Sequence, residues 1–308
     1  MLKFILKRVS ISLITIWVII SVTFLLMHAA PGDPFRKENK MPAGVYENLR
    51  KKYGLDKPKS EQYVIYLKNI LKGDFGASMK SKTETVNQMI SRGFPISARL
   101  GIQALFTAVF FGILLGTFAA LYQNKFPDYF AMITALIGIS VPSFIMGILL
   151  LQFIAKGSSF FPMGGWGEFK HTLLPAFAMA LMPMAQIARL MRSSMLEVMG
   201  QDYIKTARSK GLPKFLVIWR HAIKNSILPV VSMLGVITAN LLVGSFIIER
   251  IFAIPGLGKF FVSSISNRDY PLIMGTTVFY GIILVTMLLI TDICYTLVDP
   301  RIKVVGDD

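Results

Sequence analysis

Six long stretches of this chain contain no Asp, Glu, Lys or Arg, and such stretches leave few folds open. They cover residues 9–32, 100–124, 129–155, 172–188, 225–248 and 270–291. A helix that crosses the hydrocarbon core of a bilayer needs about 20 mostly apolar residues. Five stretches meet that length, and 172–188 is shorter and carries Pro175 and Pro183. One such run could be a helix buried in a large soluble core. Six within 308 residues make the bilayer the solvent. Composition agrees: 16% of residues are charged, against roughly 25% in a soluble domain.

The first stretch has the basic start of a signal peptide, with Lys3, Lys7 and Arg8, and the small pair Ala29-Ala30. Its apolar part extends from Val9 to about Met27, beyond the roughly 7–15 residues of a signal core. Pro31 would also follow the cut directly. It reads as a retained first helix. The fold class expected is therefore an all-α polytopic membrane protein with six transmembrane helices and a small external domain between helices 1 and 2. In that domain, Tyr63-Val-Ile-Tyr-Leu-Lys-Asn-Ile-Leu71 has the pattern of a short amphipathic helix.

Charge sets the expected orientation. The formal net charge is +16. The basic residues fall in the gaps between apolar runs, not in a stripe interleaved with aromatics, so they suit anionic lipid headgroups and not nucleic acid. The stretch 189–224 carries Arg189, Arg192, Lys205, Arg208, Lys210, Lys214, Arg220 and Lys224 against Glu197 and Asp202. Basic short loops stay cytoplasmic, which places both termini inside, in agreement with Lys3, Lys7, Arg8, Arg301 and Lys303. The 31–95 segment is basic too, but it is long enough to cross regardless of charge.

Signatures of catalysis are missing. Gly256-Leu-Gly-Lys259 resembles part of a phosphate loop, but such a loop needs Gly at 253 and Ser or Thr at 260, where Ala253 and Phe260 stand. The three histidines are scattered, and the one cysteine, Cys294, sits in an apolar run. No enzyme activity, cofactor or metal is expected. Asp292 is the one acidic candidate inside a span; seven residues before Asp299, it suits the interface. An ion-coupled transporter needs more intramembrane charge than this. Energy for transport must come from another polypeptide.

The segment 202–229 is the most informative. Tyr203, Ile204 and Ala207 share a helical face among Lys205, Arg208 and Lys210; Gly211 is a helix stop and Pro213 an opener. Phe215, Ile218, Trp219, Ala222 and Ile223 then recur at helical spacing. By itself this pattern also describes two amphipathic helices lying on anionic lipid.

Here the sequence meets a family. Asp202-Tyr-Ile-Lys-Thr-Ala-Arg-Ser-Lys-Gly-Leu-Pro213, followed by Arg220-His-Ala-Ile-Lys-Asn-Ser-Ile-Leu-Pro229, resembles the cytoplasmic loop of binding-protein-dependent ABC importer permeases. The broad motif of that family is Glu-Ala-Ala, three residues, Gly. Lys205, Thr206, Ala207 and Gly211 stand at the corresponding places, and Pro229 comes later than the motif expects. A basic residue and Thr-Ala at those places mark the peptide-importer branch. Other stretches resemble the same branch: Ala30-Pro-Gly-Asp-Pro34, Tyr53-Gly-Leu-Asp-Lys-Pro58, Gly73-Asp-Phe-Gly76, Ser140-Val-Pro-Ser-Phe144, the run from Gly244 through Glu249, Pro255 and Gly256 to Gly258, Asn267-Arg-Asp-Tyr270, and Asp299-Pro300-Arg301. Read alone, Pro142 is a helix kink, Glu249 and Arg250 an interfacial anchor, and Asp299-Pro300-Arg301 a helix stop. Jointly the stretches resemble the B-type permease of oligopeptide or dipeptide importers, most like the oligopeptide one of Gram-positive bacteria.

The resemblance implies a type I ABC importer permease fold, divided into 1–30, an external domain at 31–95, an ABC transmembrane core at 96–299 with a coupling loop at 192–224, and a tail at 300–308. It implies a second homologous permease, two ABC ATPase subunits that use ATP and Mg, an extracellular peptide-binding lipoprotein and a peptide substrate. Docking on the ATPase falls to Asp202, Tyr203, Lys205, Thr206, Ala207, Arg208, Lys210, Gly211, Leu212 and Pro213. In that expectation Gly211 sets the turn, Tyr203 and Ala207 supply apolar contact, and the basic residues steer. A nickel-chelate importer of the same branch shares these motifs. An ion-coupled secondary transporter and a membrane sensor or scaffold are the readings of other classes.

Overall fold

The computed structural model describes residues 2–29, 43–81 and 83–298. In chain order the helices are α1 (Leu2–Ala29), α2 (Ala43–Lys52), α3 (Lys59–Leu71), α4 (Val86–Leu121), α5 (Phe126–Ser140), α6 (Ser143–Leu150), α7 (Lys170–Met199), α8 (Asp202–Ser209), α9 (Lys214–Leu216), α10 (Lys224–Ser226), α11 (Leu228–Val243), α12 (Phe246–Ile251), α13 (Leu257–Asn267) and α14 (Tyr270–Val298). π-helical turns continue α6 over Leu151–Ala155 and join α9 to α10 over Val217–Ile223. Five helical segments are long and apolar enough to span a membrane, and a bent pair, α5 with α6 and its π turn, makes a sixth.

Several spans differ from the charge-free stretches. α4 begins at Val86, fourteen residues before the expected start, because Thr85 and Gln88 close a reciprocal capping box (Thr85 N–H to Gln88 Oε1, 2.9 Å). At 36 residues it is about 54 Å long, so its first turns project past a ~30 Å hydrocarbon core. α7 keeps Pro175 and Pro183 inside one helix and runs on to Met199. Residues 192–199, expected in the loop, are therefore the last turns of a spanning helix. The fifth span breaks after Val243, where Gly244 adopts φ +83°. The third breaks at Val141-Pro142, and its halves lie 106° apart. Pro142 does more than kink a helix: it ends one and starts another in a new direction.

The core forms where α4 and α7 pack face to face. Gly101, Ala104, Ala108, Gly112 and Gly116 are all buried along α4. A Cβ on Gly112 would come within 2.8 Å of Ile187 on α7. In a bilayer, small residues of this kind let helix backbones approach and gain dispersion contacts. α5 and α11 pack on the same pair, and α1 lies against α14. At one end of α14, Arg8 pairs with Asp292 at 3.1 Å, both partly exposed, which agrees with an interfacial Asp292. At its other end the expected amphipathic helix, α3, docks on α1 through Tyr63–Ser21 (2.6 Å) and His28–Gln62 (3.0 Å). There Asp269 is buried, accepts from the Met79 N–H at 3.1 Å and is hydrogen-bonded by Ser78, tying the 72–85 segment to the start of α14.

Candidate functional site

Three features gather the residues singled out from the sequence. The first is the 202–227 segment. α8 is anchored by its inward face: Ile204 is fully buried and Ala207 is 5% exposed. Val217 and Ala222 are buried from the π-helical stretch that follows. Ala207 was expected to offer apolar contact to a partner; it is spent inside the chain. Its neighbours point the other way. Tyr203, Leu212, Phe215, Leu216 and Trp219 are exposed, Phe215 at 71% and Trp219 at 64%. Phe215 and Trp219 share the expected periodicity with Ala222, yet only Ala222 faces in, because the π turn shifts the register. Partial desolvation against its neighbours leaves the Tyr203 hydroxyl harder to ionise than a free tyrosine.

The joint between α8 and α9 needs glycine. Gly211 has φ +76°, and its N–H caps Arg208 at 3.0 Å; Pro213 then opens the next helical stretch. A Cβ on Gly211 would meet nothing within 4 Å, so backbone conformation, not space, selects the residue. Asp202 holds Lys205 at 2.8 Å on the surface, and the Thr206 hydroxyl donates to the Asp202 carbonyl at 3.0 Å. Lys205, Arg208, Lys210, Lys214, Arg220 and Lys224 are all exposed. The result is an apolar ridge with a basic border. Beside it, Arg192 of α7 reaches Asp128 of α5 in a bidentate pair (2.6 and 2.7 Å), and Asp128 also accepts from the Asn124 N–H at 2.9 Å. Asp128 is buried, so the pair locks the α4–α5 turn to the lower part of α7.

The second feature lies around Glu249, which is 1% exposed. An interfacial anchor would be solvated; this carboxylate is instead enclosed. Its Oε1 accepts from the Ser97 hydroxyl at 2.6 Å, and its Oε2 accepts from the Gly258 N–H at 3.0 Å. Ser97 in turn accepts from the Leu257 N–H at 2.8 Å. A Cβ on Gly244 or Gly256 would overlap the carboxylate, and one on Gly258 would strike Phe246 at 2.6 Å. Glycine at those places is what allows α12, the 252–256 turn and α13 to close around one acidic group. Pro255, by contrast, is exposed in the turn. Asp299, Pro300 and Arg301 lie outside the described residues.

The third feature was not legible beforehand. The breaks at Pro142 and Gly244 face one another across a cleft of about 320 Å³, floored by α7. A second cleft of about 420 Å³ continues from it, sharing Asn240, Gly244 and Ser245 and reaching Tyr280 on α14. Among the described residues no cluster of three or more His, Cys, Asp or Glu side chains could hold a metal ion.

Comparison with known proteins adds the following. Residues 112–304 match the family described as binding-protein-dependent transport system inner membrane component, and residues 1–101 match its N-terminal companion. The chain is 50% identical over 303 residues to the dipeptide transport system permease protein DppB of Bacillus subtilis, covering 98% of each chain. It is 41% identical over 305 residues to the oligopeptide transport system permease protein OppB of Salmonella typhimurium, covering 98% of this chain and 100% of that one. A solved methionine ABC transporter in an inward-facing conformation superposes with TM-score 0.52 at 14% identity, covering 70% of this chain and 96% of that one. At that identity the likeness concerns the fold, which is the expected type I permease fold.

Proposed function

The chain belongs to the family of binding-protein-dependent transport system inner membrane components, and from that premise we propose that it is one of two membrane-spanning subunits of an ATP-driven peptide importer. The carrying observation is its 41–50% identity, along nearly the whole chain, to permease subunits of dipeptide and oligopeptide transport systems. A permease of this family has no ATPase site of its own and works with further subunits, a second permease and an ATPase.

The finer assembly is our reading: a heterodimer of two permeases, two ATPases that bind ATP and Mg, and an extracellular peptide-binding lipoprotein. The 202–224 surface lies on the cytoplasmic side with both termini, and α2 and α3 lie outside. In this reading the ATPase contacts the outward ridge of Tyr203, Leu212 and Phe215, with basic residues at its border. Ile204 and Ala207 hold the ridge to the spanning helices, so a push on the ridge moves α7 and α11. Gly211 keeps the joint tight enough for that transfer.

The decisive experiment is uptake by proteoliposomes containing the complete transporter. Internal or external ATP, according to orientation, should drive accumulation of labelled di- and oligopeptides. Uptake of a nickel chelate with no uptake of peptide would replace the peptide reading. Uptake driven by an ion gradient without ATP would remove the importer reading altogether.

A further inference from the structure

A polar side chain inside a spanning helix is costly unless it is paired or faces a water-filled path. Gln186 lies mid-way along α7, and its amide makes no hydrogen bond with any described residue. It opens into the cleft between the two helix breaks, together with Ser140, Ser143, Asn240 and Ser245. The hydroxyls of Ser140, Ser143 and Ser245 likewise make no hydrogen bond among the described residues. Asn240 accepts from the Tyr280 hydroxyl at 2.7 Å, which fixes its carbonyl oxygen and leaves its two N–H donors directed elsewhere. Five polar side chains, four of them without a hydrogen bond among the described residues, thus converge on one cleft from three spans, near the middle of each.

Neither lipid tails nor a purely apolar partner face would satisfy them. Water or an amide-bearing ligand would. The rest of the lining sharpens the choice: neither this cleft nor the one beyond it includes Asp, Glu, Lys, Arg or His. Met179 and Met182 complete the α7 wall, and unbranched thioether side chains adapt to different shapes. Donors and acceptors of amide type, no fixed charge and adaptable walls match what all peptides share, a main chain of N–H and C=O groups, and ignore what distinguishes them.

We propose that this cleft is a passage surface for the substrate, on which Gln186 and Asn240 hydrogen-bond the peptide main chain and side-chain charge is not read. The proposal rests on the peptide-importer reading above and deepens it.

The test uses the complete transporter in proteoliposomes, and wild-type ATP-dependent peptide uptake is measured first; its failure breaks the importer reading. With that uptake in hand, Gln186→Cys and Asn240→Cys in a Cys294→Ser background should react with a small hydrophilic thiol reagent, whereas Ala108→Cys, fully buried in the core, should not. Gln186→Leu should lower uptake of neutral, acidic and basic peptides by the same factor. Asn240→Asp, nearly isosteric, should lower acidic-peptide uptake relative to basic by about tenfold, as a fixed charge a few ångströms from the path requires. Unreactive cysteines at both positions would overturn the proposal. So would reactivity only when the second permease is left out, which would mean that the partner subunit covers the cleft. Equal effects of Asn240→Asp on acidic and basic peptides would also overturn it.

Discussion

Two regions of this chain treat their awkward groups in opposite ways. Around Glu249 a carboxylate is enclosed and its hydrogen bonds are met by Ser97 and Gly258. Across 202–219, aromatic and aliphatic side chains that a core would welcome stand exposed. The first region is complete within one chain; the second leaves apolar surface open. The contrast separates a self-contained scaffold from the surface that we propose as the interface. A buried acidic group survives only where its surroundings fix it, and here it ties α12 and α13 to α4 through Ser97. An exposed apolar ridge persists where a partner or a membrane surface covers it.

The sharpest way to break this contrast is Glu249→Ala. It leaves a cavity and strands the Gly258 N–H and the Ser97 hydroxyl, at a cost on the order of 5 kcal/mol. The expected outcome is loss of the subunit from purified membranes; normal abundance and thermal midpoint would show that the enclosure is dispensable. Next comes Asp128→Ala, which leaves Arg192 without its partner, a loss of about 3 kcal/mol. The double variant with Arg192→Ala should recover part of the thermal midpoint, and no recovery would mean that the pair is not the cause. Gly211→Val forces a β-branched residue to φ +76°, straining the joint by about 1–2 kcal/mol. Insertion should survive while peptide-stimulated ATP hydrolysis falls severalfold; unchanged stimulation would remove the 202–213 segment from the coupling path. The smallest effect on stability, within about 0.5 kcal/mol, is expected for Tyr203→Ser with Phe215→Ser. Co-purification of the ATPase should nevertheless drop sharply. If instead the subunit unfolds and ATPase binding per folded subunit is unchanged, the ridge belongs to the scaffold after all.

Hydropathy makes the spans legible because a bilayer punishes charge at every depth, but it runs straight through Pro142, whose ring marks a kink and not a change of direction. The same reliance on charge misplaced the ends of the spans. Arg92 and Arg99 stop an apolar count, yet they lie inside α4, whose start is fixed by a local cap at Thr85. Arg189 stops the count in α7, yet the helix runs on to Met199, and Arg192 within it is tolerated because Asp128 meets it. At the candidate site, Gly211 and Pro213 were readable as a joint because each is a local constraint on the backbone. Ala207 and Ile204 do share a helical face, but Tyr203 turns away from it, and the side that this face meets depends on α7 and on the π turn, neither of which a period reveals. The enclosure of Glu249 had a signal of its own in Gly244, Gly256 and Gly258, three glycines within 15 residues of chain that all close round one carboxylate. The cleft beside Gln186 had none, since it is made by a bend in one span opposite a bend in another.

That bend bears on how the chain is made. α5 has 15 residues, about 22 Å of helix. α6 adds 8 residues before its π turn, about 12 Å more. Each piece alone falls short of the ~30 Å hydrocarbon core, so neither can leave the biosynthetic insertion channel as an independent stop. Together they make one uncharged stretch, 129–155, long enough to be released as a single span, and α7 is the wall on which both halves pack once folded. The angle at Pro142 thus belongs to the assembled bundle and not to the span as it is inserted.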